Sequence, residues 1–228
     1  MSNSYIVASN KAWHRPGFDE LSRHEDGRWI WVSSPEELMR RAQDEPNLRY
    51  IFFLHWSWRV PAELWSHYEC VCFHMTDVPY GRGGSPLQNL IVAGHATTKL
   101  TALRMVEEMD AGPAYAKREM SLEGRAEDIY VRAGELSFEI MCWMIHNNPT
   151  AEPQKGAVIG FERRNSGQSV LPEDGSLQLI YDHIRMLDAP TYPLAFLEHG
   201  GFRLEFSNAQ LLEEEVVAKV VIRRKRVV

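Results

Sequence analysis

Short apolar runs alternate with polar, helix-spaced stretches over the first two thirds of the chain. Tyr5-Ile6-Val7-Ala8 and Trp29-Ile30-Trp31-Val32 are bounded by polar residues and predict two buried strands. Ser34-Pro35-Glu36-Glu37 then predicts a helix start, with Ser34 as N-cap, Pro35 in the first turn and Glu37 closing a capping box. Arg49-Tyr50-Ile51-Phe52-Phe53-Leu54 is apolar on both faces, the pattern of a central parallel strand. A fourth strand is expected over 68–74, with Cys70-Val71-Cys72-Phe73 as its buried part.

Two loops follow the carboxyl ends of these last strands, 55–60 and 75–85. The second holds Pro79, Gly81, Gly83 and Gly84 and runs into Ser85-Pro86-Leu87-Gln88, which reads as another capping box opening a helix to about Gly94. Strands are expected over 101–105 and 114–119, flanking the acidic turn Glu107-Glu108-Met109-Asp110-Ala111-Gly112. Ile129, Ala133, Leu136, Ile140 and Met144 recur at helical spacing over 125–145, and Asn147-Asn148-Pro149 ends that helix. Beyond about 150 the texture changes. A Gly/Ser loop follows Phe161-Glu162-Arg163-Arg164, then a helix over 177–187 and strands over 202–206 and 216–222. The alternation predicts an α/β domain over 1–150, a mostly parallel sheet with helices on both faces, and a small α+β C-terminal appendage over 151–228. The apolar strand 216–222 either packs within the chain or pairs two copies as a homodimer.

Composition narrows the partners. Of 228 residues 44% are hydrophobic and 25% charged, enough apolar material for a buried core. The net charge of -6 provides no global attraction for a polyanion, so no nucleic acid is expected. The basic run Arg223-Arg224-Lys225-Arg226 reads as a solvated tail. Cys70, Cys72 and Cys142 form neither a disulfide framework nor a metal-type spacing, which points to a reducing, cytoplasmic compartment. No leader peptide is expected from Met1-Ser2-Asn3-Ser4-Tyr5, no run approaches the length of a membrane span, and no metal set is evident.

The chemistry concentrates in residues 72–88, C-F-H-M-T-D-V-P-Y-G-R-G-G-S-P-L-Q. His74 ends an apolar strand beside a loop whose glycines let a backbone approach a ligand, the position where α/β sites form. Cys72 and His74 share a side of that strand. This stretch resembles the signature of the 10-formyltetrahydrofolate-dependent formyltransferases: a strand ending Asn-x-His, then Pro, Arg-Gly, two small residues, Pro, a hydrophobe and Gln. His74, Pro79, Arg82, Gly83, Pro86 and Gln88 fall on those positions without a gap. The family's second signature, an Asp-x-Gly turn after a Gly-x-x-x-T segment and a strand, is matched by Gly94 to Thr98, the strand 101–105 and Asp110-Ala111-Gly112. The resemblance is firm over 48–145. It is looser over 184–196, where a helix and turn resemble those that follow the catalytic domain in the tRNA and sugar enzymes. The first 47 residues look abbreviated beside the family.

The resemblance implies formyl transfer from 10-formyltetrahydrofolate to an amine. His74 would balance the oxyanion, and Asp110 would orient His74 and help take the amine proton. Read on its own, Asp110 before Ala-Gly is also ordinary turn chemistry. Cys72 stands where the family has its asparagine, an oxyanion donor, and a thiol is a weak donor. Asn89, Trp56 or Thr76 could replace that donor; otherwise His74 acts without it, or the chain binds folate without turnover. The pterin is expected against Trp56, Trp58, Arg59 and Val60 and against Met105, Glu107 and Met109. Thr76, Tyr80, Arg82, Gly83 and Gln88 are expected to face the amine. The short appendage and negative charge favour an amino sugar, nucleotide-linked and destined for a polysaccharide, over tRNA. A hydrolase releasing formate and a non-catalytic folate binder stay open as alternatives.

Overall fold

The structure, a computed structural model, describes residues 2–225. Met1 of the N-terminal run and Arg226 of the basic run lie outside the described residues. The chain forms two compact units. The first takes the chain up to Gly83, Thr98–Met120 and Val131–Gly160; the second takes Gly84–Thr97, Ser121–Tyr130 and the chain from Phe161 on.

The first unit is built on a six-stranded sheet of β1 (Ser4–Ala8), β2 (Arg28–Val32), β3 (Leu48–Phe53), β4 (Cys70–His74), β6 (Thr97–Arg104) and β7 (Ala114–Ser121), in the order β2-β1-β3-β4-β6-β7. β1 to β4 pair in parallel, and β6 joins β4 antiparallel. The expected mostly parallel sheet is present, and the four apolar runs form its parallel part.

The alternation of side chains sorts them into two layers. Ile6, Ala8, Ile30, Val32, Ile51, Phe53 and Cys70 form one, buried under Leu38 and Ala42 of α2 (Pro35–Asp44) and Leu64 of α3 (Ala62–Trp65). The opposite layer is aromatic. Tyr5 stacks on Trp29 with centroids 4.4 Å apart, and Tyr50, Phe52 and Phe73 continue the row. Phe18 of α1 (Arg15–His24) meets Trp31 edge-on from that side. Helices therefore cover both faces.

Ser34 caps α2 as expected, accepting from the Glu37 amide, but the Glu37 carboxylate returns to the Ser33 amide rather than to that of Ser34. β5 (Tyr80–Gly83) lies inside the expected glycine loop and pairs with β8 (Ile159–Phe161) in a two-stranded sheet. Neither strand shows an apolar alternation long enough to announce it. α5 (Ala126–Asn147) ends at the Asn-Asn-Pro stop; Ile129, Ala133, Ile140 and Met144 are buried and Leu136 is half-buried.

The second unit holds α4 (Pro86–Val92), α6 (Leu177–Arg185) and a sheet in the order β11-β10-β9, made of β9 (Ala195–His199), β10 (Phe202–Leu211) and β11 (Val216–Arg224). The capping box expected at Ser85 does not form. Ser85 sits at φ 51, where its hydroxyl cannot reach the first helical turn, and accepts instead from the Arg164 amide. The Gln88 amide is buried and donates to the Tyr130 hydroxyl and the Met186 carbonyl. Val217, Val220 and Ile222 of the edge strand β11 are exposed.

No helix among the described residues is long and apolar enough to cross a membrane. Among the same residues no group of three or more His, Cys, Asp or Glu side chains is placed to hold a metal ion.

Candidate active site

β4 delivers His74 to the carboxyl end of the parallel strands, 8% exposed. The polypeptide then passes through the glycine loop and returns as β5. Gly81, at φ 76, turns its carbonyl onto the ring, 2.7 Å from His74 Nε2. A carbonyl oxygen only accepts, so Nε2 carries the proton of this contact. The neutral ring therefore presents an Nδ1 lone pair, which lies 3.5 Å from Asp110 Oδ2. An imidazolium formed by protonation at Nδ1 would stand 3.5 Å from that carboxylate, within ion-pair distance. The ring is thus set to receive a proton on one nitrogen and is held by the other.

Asp110 reaches this position from a constrained turn. Its backbone sits at φ 54, a conformation costing an L residue about 1–2 kcal/mol but tolerated by aspartate. Oδ2 accepts from the Gly83 amide at 2.9 Å, so the glycine loop grips both members of the pair. At Gly112 a Cβ would lie 1.8 Å from the Arg104 carbonyl oxygen, which explains the glycine of the Asp-Ala-Gly turn. Two peptide groups of the 110–112 turn, Asp110 and Gly112, give their carbonyls to the Gln154 amide at 2.7 and 2.8 Å. Sequence patterning did not mark Gln154. It stands between Pro153 and Lys155 in a stretch without periodicity.

Cys72 is half-buried against the aliphatic layer. Burial pushes its thiol up, and the Asp110 carboxylate pushes it further, so the sulfur stays protonated at neutral pH. It offers an S–H and no thiolate. Of the replacement donors considered, Thr76 is fully buried with its hydroxyl on the Gly81 carbonyl, and the Asn89 amide donates to the Gly84 and Glu162 carbonyls. Trp56 packs with Cys72, Val60 and Met105 against the same aliphatic layer.

The residues expected at the cofactor divide by exposure. Trp56, Val60 and Met105 are half-buried together, whereas Trp58 is 43% and Met109 71% exposed, with Arg59 and Glu107 also exposed. Among those expected to face the amine, Arg82 donates from Nε and Nη2 to Gln154 Oε1 and from Nη1 to Glu108. Thr76, Gly83 and Gln88 are likewise bonded within the protein. Tyr80 is half-buried on β5. A groove of about 430 Å³ is lined by Gln154 with Tyr115, Lys117, Trp143 and Lys155; His74 and Asp110 do not line it.

A histidine pair joins His14, in the short turn before α1, to His55, in the loop after β3. His14 Nε2 and His55 Nδ1 are 2.9 Å apart, with the rings stacked at 5.0 Å and His55 at φ 46. One nitrogen donates and the other accepts, which requires both rings neutral or one proton shared. Burial pulls His14 down to about 3 and His55 down to about 4, with each also repelled by Lys11. Both folded values lie below the unfolded value near 6.5, so the unfolded chain binds more protons below that pH. Their contribution to stability is therefore full well above pH 6.5 and is lost as pH falls from there toward about 3. Thermal melts between pH 7 and 5 are expected to show this slope, and the double replacement His14→Gln/His55→Gln to flatten it.

Residues 166–223 match the profile described as the methionyl-tRNA formyltransferase C-terminal domain. A solved structure titled methionyl-tRNA formyltransferase from Clostridium thermocellum superposes with a TM-score of 0.94 at 37% identity, covering 98% of this chain and 100% of that one. The methionyl-tRNA formyltransferase of Bacillus licheniformis is 31% identical over 193 residues, 78% of this chain and 60% of that protein. A sugar N-formyltransferase from Shewanella has a TM-score of 0.66 at 17% identity, covering 92% and 99%, a likeness of fold alone. The matches to curated methionyl-tRNA formyltransferases span between 30% and 60% of the length of those relatives. With the strand-end histidine, the glycine loop and the Asp-x-Gly turn brought together, and a whole-length match at 37% identity, this chain belongs to the family of folate-dependent formyltransferases.

Proposed function

We propose that the chain transfers a formyl group from 10-formyltetrahydrofolate to the primary amine of an amino sugar, carried on a nucleotide and destined for a polysaccharide. The observation behind this reading is the His74 Nδ1 to Asp110 Oδ2 approach at the mouth of the parallel strands. The protein's part in such a reaction is to take a proton from the attacking amine and to place donors near the carbonyl oxygen. His74 Nδ1 takes the proton, and the Asp110 carboxylate balances the imidazolium. The Gly81 carbonyl and the Gly83 amide keep the two in register.

The folate donor, when bound, supplies an electrophilic formyl carbon and a nitrogen leaving group. Its flat pterin suits the half-buried wall of Trp56, Val60 and Met105, which adjoins Cys72 on the aliphatic layer. Trp58, Arg59, Glu107 and Met109 are more exposed and would contact its outer parts. Tyr80, Arg82 and Gly83 would border the amine, with the buried Thr76 behind them. Cys72 would lie beside the reacting carbonyl as a weak donor.

Two observations favour a small amine. The chain carries a net charge of -6, and Glu213-Glu214-Glu215 cluster at the turn between β10 and β11, within the region that matches the methionyl-tRNA formyltransferase profile. Both repel a polyanion. The 37% identity to a structure titled methionyl-tRNA formyltransferase supports a second reading, in which the amine is methionyl-tRNA. Formyl transfer from 10-formyltetrahydrofolate to a panel of nucleotide-linked amino sugars, run beside methionyl-tRNA, separates the two. The first reading expects the larger kcat/KM with a sugar; a larger value with methionyl-tRNA would replace it with the second. The three free cysteines fit a reducing cytoplasm.

A further inference from the structure

We infer that Gln154 is the positioning residue that holds Asp110 in reach of His74, an inference that rests on the site reading above. Its side chain makes four hydrogen bonds whose polarity leaves one orientation. Oε1 accepts from Arg82 Nε and Nη2 at 3.0 and 2.9 Å, and a guanidinium only donates. Nε2 donates to the Asp110 and Gly112 carbonyls at 2.7 and 2.8 Å, and carbonyls only accept. A flipped amide would face like groups at every contact.

These bonds close a circuit. Gln154 holds Arg82; the next residue, Gly83, donates its amide to Asp110 Oδ2; and the Asp110 carbonyl returns to Gln154. The carboxylate and the main chain of Asp110 are thus fixed by two branches that meet at one side chain. The start of the segment is itself fixed, because Glu152 and Ala114 exchange main-chain hydrogen bonds at 2.8 and 2.9 Å. Asp110 needs such restraint. With φ at 54 its turn relaxes when the clip is removed, and Oδ2 has only a 3.5 Å approach to His74 to lose.

The test uses the whole chain with Gln154→Glu, Gln154→Asn and Asp110→Ala. Glutamate keeps acceptors for Arg82 but faces the two turn carbonyls with no donor. Asparagine keeps the chemistry and is one methylene too short to reach both sides. The direct readout is the Gly83 amide, whose hydrogen bond ends on the Asp110 carboxylate. Its resonance in both Gln154 variants is expected to move toward its place in Asp110→Ala. Loss of the clip, worth one or two hydrogen bonds, is expected to speed its exchange about tenfold and to lower kcat about tenfold. KM is expected to stay, and Gln154→Glu to cost little more in an Asp110→Ala background, because both changes act through one carboxylate. A Gly83 amide unmoved in both Gln154 variants but moved in Asp110→Ala overturns the inference. An Asp110→Ala chain with full turnover overturns the site reading instead, so the two failures are distinguishable.

Discussion

Replacing His74 with alanine is expected to lower kcat for formyl transfer by about 10²–10⁴, the range of a positioned general base. The ring's polar contacts are internal: Nε2–H on the Gly81 carbonyl and Nδ1 toward Asp110. Its proposed part is at the amine proton and not in holding the folate, so its removal should leave KM for the donor near the wild-type value. Glutamine at this position would return a donor to the Gly81 carbonyl without a basic nitrogen. Equal losses in His74→Ala and His74→Gln would assign the effect to proton transfer, and a recovery in His74→Gln would assign it to support of the loop. Steady-state kinetics on both variants make this check, and wild-type kcat in His74→Ala would remove His74 from the chemistry.

The second large effect is expected at Asp110. Asp110→Ala removes the carboxylate that faces Nδ1 and leaves the Gly83 amide without its acceptor. Asp110→Asn keeps an oxygen for Gly83 but removes the charge that balances an imidazolium. If charge is the main contribution, both variants lose about 10² in kcat, comparable to the removal of one electrostatic stabiliser. If geometry is the main contribution, Asn retains most of the activity and Ala loses it. The 3.5 Å approach, at ion-pair range once the ring takes a proton, favours the first outcome. Measuring both variants with one amine and saturating donor decides it.

How much of this was legible from residues alone follows from where each signal sits. β1, β2, β3 and β4 are short runs of consecutive apolar residues, and each is buried in the sheet as its composition predicts. β5 reads Tyr-Gly-Arg-Gly, a turn by composition, and becomes a strand only by pairing with β8. β9 begins inside the 192–196 stretch that resembles a helix and turn, and its register is supplied by β10. The failed cap at Ser85 has a local cause: a positive φ that the motif does not encode. His74 and Asp110 were readable because their spacing matches two ordered signatures, and the fold brings them to 3.5 Å. Gln154 was not readable. Its role is defined by three partners between 42 and 72 residues away, and no local pattern records that.

The most direct measurement follows the formyl carbon. The chain is mixed with 10-formyltetrahydrofolate labelled with ¹³C in the formyl group, with and without an acceptor amine. The label is expected to appear as a formamide on the amine at a rate set by His74, and His74→Ala to remove this signal. Label released as free formate at the same rate with or without amine, or a formamide signal unchanged in His74→Ala, would contradict it.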